Sequence, residues 1–459
     1  MDIQKLQSIN PSNYQLLGEV DISSLQEIKE GVKAARKAQK AWADIGIDKR
    51  VRMLRSAIEE FESKQAEFTL LESREMGMPV KEANSDFISR VKYAKWNFGN
   101  ALKYLSPETT FENSREIHQV FHEPIGVSAV IIPWNFPWLN FIWGSLQSLI
   151  AGNTIVLKHS EECPLSGKFI EDVFTRHLPH GVFNEVYGDG EIGKLLVQQD
   201  IDMIAFTGST KTGRYLYETA GRRFIKAVME LGGSAPGVIF NDADIRSSVK
   251  NACGQRLFNV GQCCDGLKRL IVQSDIFDEV IQSVASIFSA KKIGSADEEH
   301  TDIGPLVAKR QLDLLISQVE DARAKGARVI TGGNSLEGEM NGAFYEPTVL
   351  TGITTEMGVW TEEVFGPVLP IVSFKTEEEA IELANQTVYG LGAYIFTGDK
   401  EKADRVANSL DTGMVSINGI SYTAPFNPFG GYKASGIGRE HGKYGFHEVT
   451  QLKIVARDK

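Results

Sequence analysis

Cysteine is scarce: Cys163, Cys253, Cys263 and Cys264 are the only four among 459 residues. Four thiols with no C-x-x-C pair exclude a disulfide framework, leave a zinc or thioredoxin-type centre without support, and fit a reducing compartment. A basic surplus is missing as well. Lys and Arg number 49 against 60 Asp and Glu, a net charge of −11, whereas a nucleic-acid protein needs a basic face. Low-complexity linkers are absent, and so is any internal repeat of about 20 to 50 residues. Met1-Asp2-Ile3-Gln4 offers neither the basic nor the apolar segment of a signal peptide. Charged side chains disappear between Pro124 and Leu157, a run of 34 residues, longer than the roughly 20 a bilayer span requires. Pro133, Pro137 and Gly152-Asn153 interrupt that run, so a buried strand-turn-helix-strand unit is expected instead of a membrane helix. A soluble, cytoplasmic protein is expected, with no nucleic-acid, membrane or metal partner.

The composition that remains is ordinary for a globular chain, 42% hydrophobic and 24% charged. At about 150 residues per domain, two or three domains are expected. The first hundred residues read as helices. Ser24-Leu25-Gln26-Glu27 is a capping box, followed by apolar residues at helical spacing: Ile28, Val32, Ala35, Ala38 and Trp42. A second helical stretch runs from about Asp48 to Met76, with Gly77 as its C-cap. Residues Arg115 to Glu123 alternate as a hairpin or edge strand does. From Gly126 onward, short β-branched runs (Val127 to Ile132, Thr154 to Leu157, Asp202 to Phe206, Pro236 to Phe240) alternate with helical segments. A further set of strands lies near Arg269 to Val272, Arg328 to Thr331, Pro370 to Phe374 and Gly392 to Phe396. Such alternation predicts an α/β protein with two parallel-sheet lobes.

Single motifs leave the chemistry open. Gly188-Asp189-Gly190-Glu191-Ile192-Gly193 matches G-x-G-x-x-G, but a tight turn explains it as well as a nucleotide loop does, and no ribose-binding acid follows about 20 residues on. Gly208-Ser209-Thr210-Lys211-Thr212-Gly213 fails as a P-loop at Arg214; it can still cap a helix whose N–H groups hold a diphosphate. By composition alone Cys263-Cys264 reads as two buried small hydrophobes. Glu230, ending a β-like run before Gly232-Gly233, is either a solvated loop carboxylate or a general base.

The order of the motifs is more specific. Pro133-Trp134-Asn135-Phe136-Pro137, Phe206-Thr207-Gly208-Ser209-Thr210, Glu230-Leu231-Gly232-Gly233, Gly261-Gln262-Cys263-Cys264, Glu363-Val364-Phe365-Gly366-Pro367 and Asn427-Pro428-Phe429-Gly430-Gly431-Tyr432-Lys433 follow one another along the chain. This set resembles the NAD(P)-dependent aldehyde dehydrogenase superfamily. The resemblance implies a Rossmann-like cofactor domain (1–110 and 126–232), a catalytic domain (233–440) and a small β oligomerisation element (111–125 and 441–459). It implies Cys264 as nucleophile, Glu230 as the base that activates water, and Asn135 as oxyanion donor. Trp134, Lys158, Glu161, Gly190, Ser209, Gly232, Glu363 and Phe365 would hold the cofactor, with NAD favoured over NADP. A homodimer or homotetramer is implied too.

Two departures from the family pattern stand out. The Lys that many members carry nine positions after the oxyanion Asn is Gly144 here, although Glu440 matches the relay Glu. Lys-Pro-Ser/Ala-Glu appears as Lys158-His159-Ser160-Glu161. For the substrate, Phe136, Trp143, Asp265 and Phe429 are the expected pocket residues. Members acting on succinic semialdehyde often carry Arg where this chain has Trp143, and some where it has Phe258, so a neutral aliphatic or aromatic aldehyde ranks first. A semialdehyde is the alternative if a basic side chain such as Arg256 or Lys268 reaches the pocket; an aminoaldehyde could use Trp143 and Asp265. A CoA-acylating enzyme or a catalytically silent nucleotide binder is less favoured, given Cys264, Glu230 and Asn135 together.

Overall fold

The computed structural model describes residues 4–459. Within the expected helical N-terminus it places a hairpin, Lys5–Ile9 against Leu16–Asp21. Both strands are short and largely solvated, so they lack the one-sided apolar alternation that marks a strand in sequence. The helix Leu25–Asp44 follows, with the Ser24–Glu27 capping box formed and Ile28, Val32, Ala35 and Trp42 buried. The next helical stretch is two helices, Ile47–Ser63 and Gln65–Met76, broken at Lys64; Gly77 caps the second at φ 86°. A 26-residue helix, Val80–Leu105, completes this layer.

The uncharged run folds as strand Val127–Ile131, helix Pro137–Ala151 and strand Thr154–Lys158. It is buried because it forms the middle of a sheet and the helix packed on it. Phe61 stacks on Trp138 of that helix with centroids 4.0 Å apart. The first sheet has six strands in the order Gly436–Ile437, Lys226–Glu230, Met203–Thr207, Val127–Ile131, Thr154–Lys158, Phe183–Glu185. Only the first of these runs antiparallel to its neighbour.

The second sheet has seven strands: Arg328–Thr331, Thr348–Thr351, Val368–Phe374, Leu267–Gln273, Ala235–Ile239, Gly392–Phe396 and Met414–Ile417. Here too only the edge strand Arg328–Thr331 is antiparallel. A third, antiparallel sheet joins Thr450–Asp458, Glu116–Pro124 and Glu108–Glu112. No described helix is long and apolar enough to cross a membrane.

Candidate active site

In open parallel sheets, ligands gather beyond the carboxyl ends of the strands. In the first sheet Asn135 follows Val127–Ile131, Lys158 ends Thr154–Lys158, Ser209 follows Met203–Thr207, and Glu230 ends Lys226–Glu230. Three adjoining cavities line this edge. One of 630 Å³ is walled by Lys158, Glu161, Gly190, Ser209 and Trp134. The next, 250 Å³, shares Trp134 and Ser209 with it and adds Gly232, Glu363, Phe365 and Cys264. The third, 320 Å³, is lined by Cys264, Glu230, Asn135, Phe136, Trp143, Asp265 and Phe429. Every site residue expected from the sequence thus borders one continuous cleft, with Cys264 and Asn135 where the second and third cavities meet.

The loop carrying the thiols is bent by three consecutive left-handed residues, Asn259 (φ 51°), Val260 (φ 58°) and Gly261 (φ 76°). Such a conformation costs a β-branched residue on the order of 1–3 kcal/mol, so its surroundings must hold it. The Asn259 N–H donates to Glu82 Oε2 at 2.7 Å, and its side-chain amide donates to the Asn135 carbonyl at 2.6 Å. The Gln262 side chain accepts from the Val307 N–H at 2.9 Å. A Cβ on Gly261 would collide with the Gly366 carbonyl. Asn135 Nδ2 donates to the Gln262 carbonyl at 3.0 Å, and Asn140 donates to Asn135 Oδ1 at 3.2 Å. This fixes the amide orientation beside the thiol.

The two cysteines differ. Cys263 Sγ donates to Asp265 Oδ1 at 3.1 Å, and its thiol is pushed up by its hydrogen bond with Cys264, by burial and by the Asp265 carboxylate. Cys263 borders only the third cavity, whereas Cys264 opens on both. Glu230 is 3% exposed, and neither carboxyl oxygen has a partner among the described residues. Burial raises it well above the usual carboxylate range, and the charges of Glu440, Cys264 and Asp265 add to this against Arg439. Burial likewise pushes Glu440 up to about 8.

That pair predicts a pH effect. A general base must be ionised, so turnover should rise with pH on the alkaline side, with apparent constants belonging to the coupled pair. In Glu440→Gln a negative neighbour is gone, Glu230 ionises more easily, and the rising limb of kcat should move to lower pH. A limb that stays put or moves upward contradicts this assignment.

The cofactor-side residues have the donor chemistry that a dinucleotide requires. Lys158 Nζ lies 3.3 Å from Glu161 Oε2, a cation and a carboxylate facing the space in front of Gly190, where a Cβ would touch nothing. Ser209 caps the helix Thr210–Arg223, whose free N–H groups suit a diphosphate. Glu363 is held by Lys268 Nζ and by the Gly233 N–H at 3.0 Å. His159, replacing Pro, turns away from the cleft and pairs with Glu185 in the core.

Gly144 packs on the sheet, and a Cβ there would stand 3.1 Å from Val130 Cγ1. A side chain at this position requires the Val130 side chain to give way. Neither basic residue considered for the substrate pocket reaches it. Arg256 is spent on the carbonyls of Leu267 and Val364, and Lys268 on Gly233 O, Cys264 O and Glu363. The residue missed by sequence reasoning is Arg90, which lines the third cavity. Its one trace in the sequence is the Asp86/Arg90 spacing of four, indistinguishable there from an ordinary helix-surface pair.

The Aldehyde dehydrogenase family model matches residues 1–455. An aldehyde dehydrogenase of Aspergillus niger is 36% identical, covering 98% of this chain and 91% of its own. A succinate-semialdehyde dehydrogenase (NADP(+)) of Deinococcus radiodurans is 35% identical over 98% of this chain and 94% of its own. Among solved structures, the NAD+ complex of an aldehyde dehydrogenase from Bacillus cereus superposes with a TM-score of 0.95 at 34% identity, covering 99% of this chain and 93% of that one. The chain belongs to the aldehyde dehydrogenase family.

Proposed function

We propose that this chain oxidises an aldehyde to its carboxylic acid through a thioester on Cys264. The observation that carries this reading is the convergence of Cys264, Asn135 and a buried, unpartnered Glu230 on one cavity that opens into the cofactor cleft. Cys264 Sγ, as thiolate, adds to the aldehyde carbon. The oxygen that becomes negative is met by Asn135 Nδ2 and the Cys264 N–H, donors worth about 10²–10³ in rate apiece. A nicotinamide held in the cleft would supply the hydride acceptor, and loss of hydride from that carbon would leave a thioester on Cys264. Glu230 takes a proton from water, the water oxygen attacks the thioester carbonyl, and the Cys264 thiolate leaves as the acid forms.

Lys158 and Glu161 would hold the adenosine ribose, helix Thr210–Arg223 with Ser209 the diphosphate, and Glu363 with Phe365 the nicotinamide side. A 2′-phosphate would lie against the Glu161 carboxylate, a repulsion of a few kcal/mol at intermediate dielectric, partly offset by Lys158. NAD is therefore the preferred cofactor. Residues 1–110 with 126–232 form the cofactor domain, and 233–440 the catalytic domain. The remaining strands, with Leu452 and Ile454 exposed, would join copies into a dimer or tetramer. A steady-state assay with simple aldehydes tests the reaction: one carboxylic acid should form per reduced cofactor. A CoA requirement, or no oxidation of any aldehyde, defeats the reading; equal kcat/KM for NAD and NADP defeats its cofactor part.

A further inference from the structure

The third cavity is apolar over most of its wall, yet a guanidinium forms part of it. Arg90 sits on the helix Val80–Leu105, far in sequence from every motif that carries the family resemblance. Its Cζ lies 5.0 Å from the ring centroid of Trp143, which fixes the plane of the fork against one wall. Nε and Nη2 both donate to Asp86 Oδ1, at 3.0 and 2.8 Å. Asp86 has a side chain only 2% exposed and is not among the cavity-lining residues. It anchors Arg90 from behind. Nη1 makes no hydrogen bond among the described residues, so one edge of a guanidinium is left for whatever fills the cavity.

Three ligand chemistries can be weighed at that edge. A neutral aldehyde would strip water from Nη1 and give nothing back, an expensive way to bury a charged donor. An aldehyde ending in an ammonium would meet a like charge. Asp265, which shares the wall with Glu230 and Glu440, has one oxygen engaged by the Cys263 thiol, so it meets such a cation with a single oxygen while Arg90 repels it. A carboxylate supplies acceptors to a planar, permanently charged donor, the pairing that guanidinium geometry favours. The two buried carboxyls, Glu230 and Glu440, oppose such a substrate less than their number implies, since burial holds both toward the neutral acid.

We propose that Arg90 receives the terminal carboxylate of a short ω-carboxy aldehyde, making the substrate class a dicarboxylic-acid semialdehyde. This rests on the aldehyde-oxidising reading above, and it replaces the neutral-first ranking drawn from Trp143 and Phe258. Asp86 and Trp143 are positioning residues for Arg90.

The test compares succinic semialdehyde with butanal and glutaric semialdehyde with pentanal. The wild-type chain should favour the carboxy aldehyde of at least one pair by tenfold or more in kcat/KM. In Arg90→Gln combined with Asp86→Asn, which leaves no orphaned buried charge, that ratio should fall at least tenfold, chiefly through KM. Arg90→Lys, which keeps the charge but not the fork, should restore part of the ratio. A wild-type preference for butanal and pentanal, a preference for 4-aminobutanal, or a ratio unchanged by the double substitution overturns the proposal. Calorimetric titration of Cys264→Ala with glutarate separates this from the chemistry: binding should weaken at least tenfold when the Arg90/Asp86 pair is also replaced. If no aldehyde is oxidised, the reaction reading fails and the glutarate titration still decides Arg90.

Discussion

Cys264→Ala is expected to abolish oxidation of every aldehyde while leaving cofactor affinity nearly unchanged. Removing the nucleophile of a cooperating catalytic unit costs on the order of 10⁶ in kcat, which places residual turnover at the limit of detection. The neighbouring substitution is the control. Cys263 Sγ is engaged with Asp265 and its thiol is pushed up, so Cys263→Ala should keep most of the activity. Substantial turnover in Cys264→Ala, or its loss in Cys263→Ala alone, reassigns the nucleophile. Cofactor affinity is read by fluorescence titration in both variants, since a collapsed cleft would lower it in parallel with the rate.

The second large effect belongs to Glu230→Gln. Deacylation should slow by about 10²–10⁴, the usual loss on removing a general base, while acylation changes far less. Rapid mixing should then show one equivalent of reduced cofactor per active site, followed by a slow steady state. Gln preserves the shape of a side chain that is buried and without partners, so misfolding is a poor explanation for a slow second phase. Disappearance of the burst would place Glu230 earlier in the reaction, as the base that activates the thiol.

How much of this was legible in the chain depends on the range over which each feature is decided. The Leu25–Asp44 helix has a local capping box and a regular apolar stripe, and it forms as expected. The uncharged run from Pro124 could be parsed because proline and glycine punctuate it. The hairpin Lys5–Ile9 with Leu16–Asp21 was invisible because its partly solvated strands carry no one-sided pattern. The break at Lys64 was hidden for a different reason: no proline or glycine marks it in the sequence.

Within the site, the motif residues were identifiable because glycines, prolines and adjacent reactive side chains sit close together in sequence. Arg90 was not. Its importance arises only when the helix Val80–Leu105 packs beside Trp143, and that depends on tertiary contacts between stretches with no local sign of each other. The idle positions of Arg256 and Lys268 belong to the same category. Both are strongly basic in the sequence, and the backbone carbonyls of Leu267, Val364 and Gly233, which no pattern announces, occupy them.

The left-handed bend at Asn259, Val260 and Gly261 has a bearing on biosynthesis. Its supports come from Glu82, Asn135 and Val307, stretches far apart along the chain. On a ribosome, Cys264 emerges about forty residues before the last of them. Until then the bend lacks the Val307 N–H that holds the Gln262 side chain. A chain that ends before Val307 therefore lacks one of the contacts that shape the loop around Cys264.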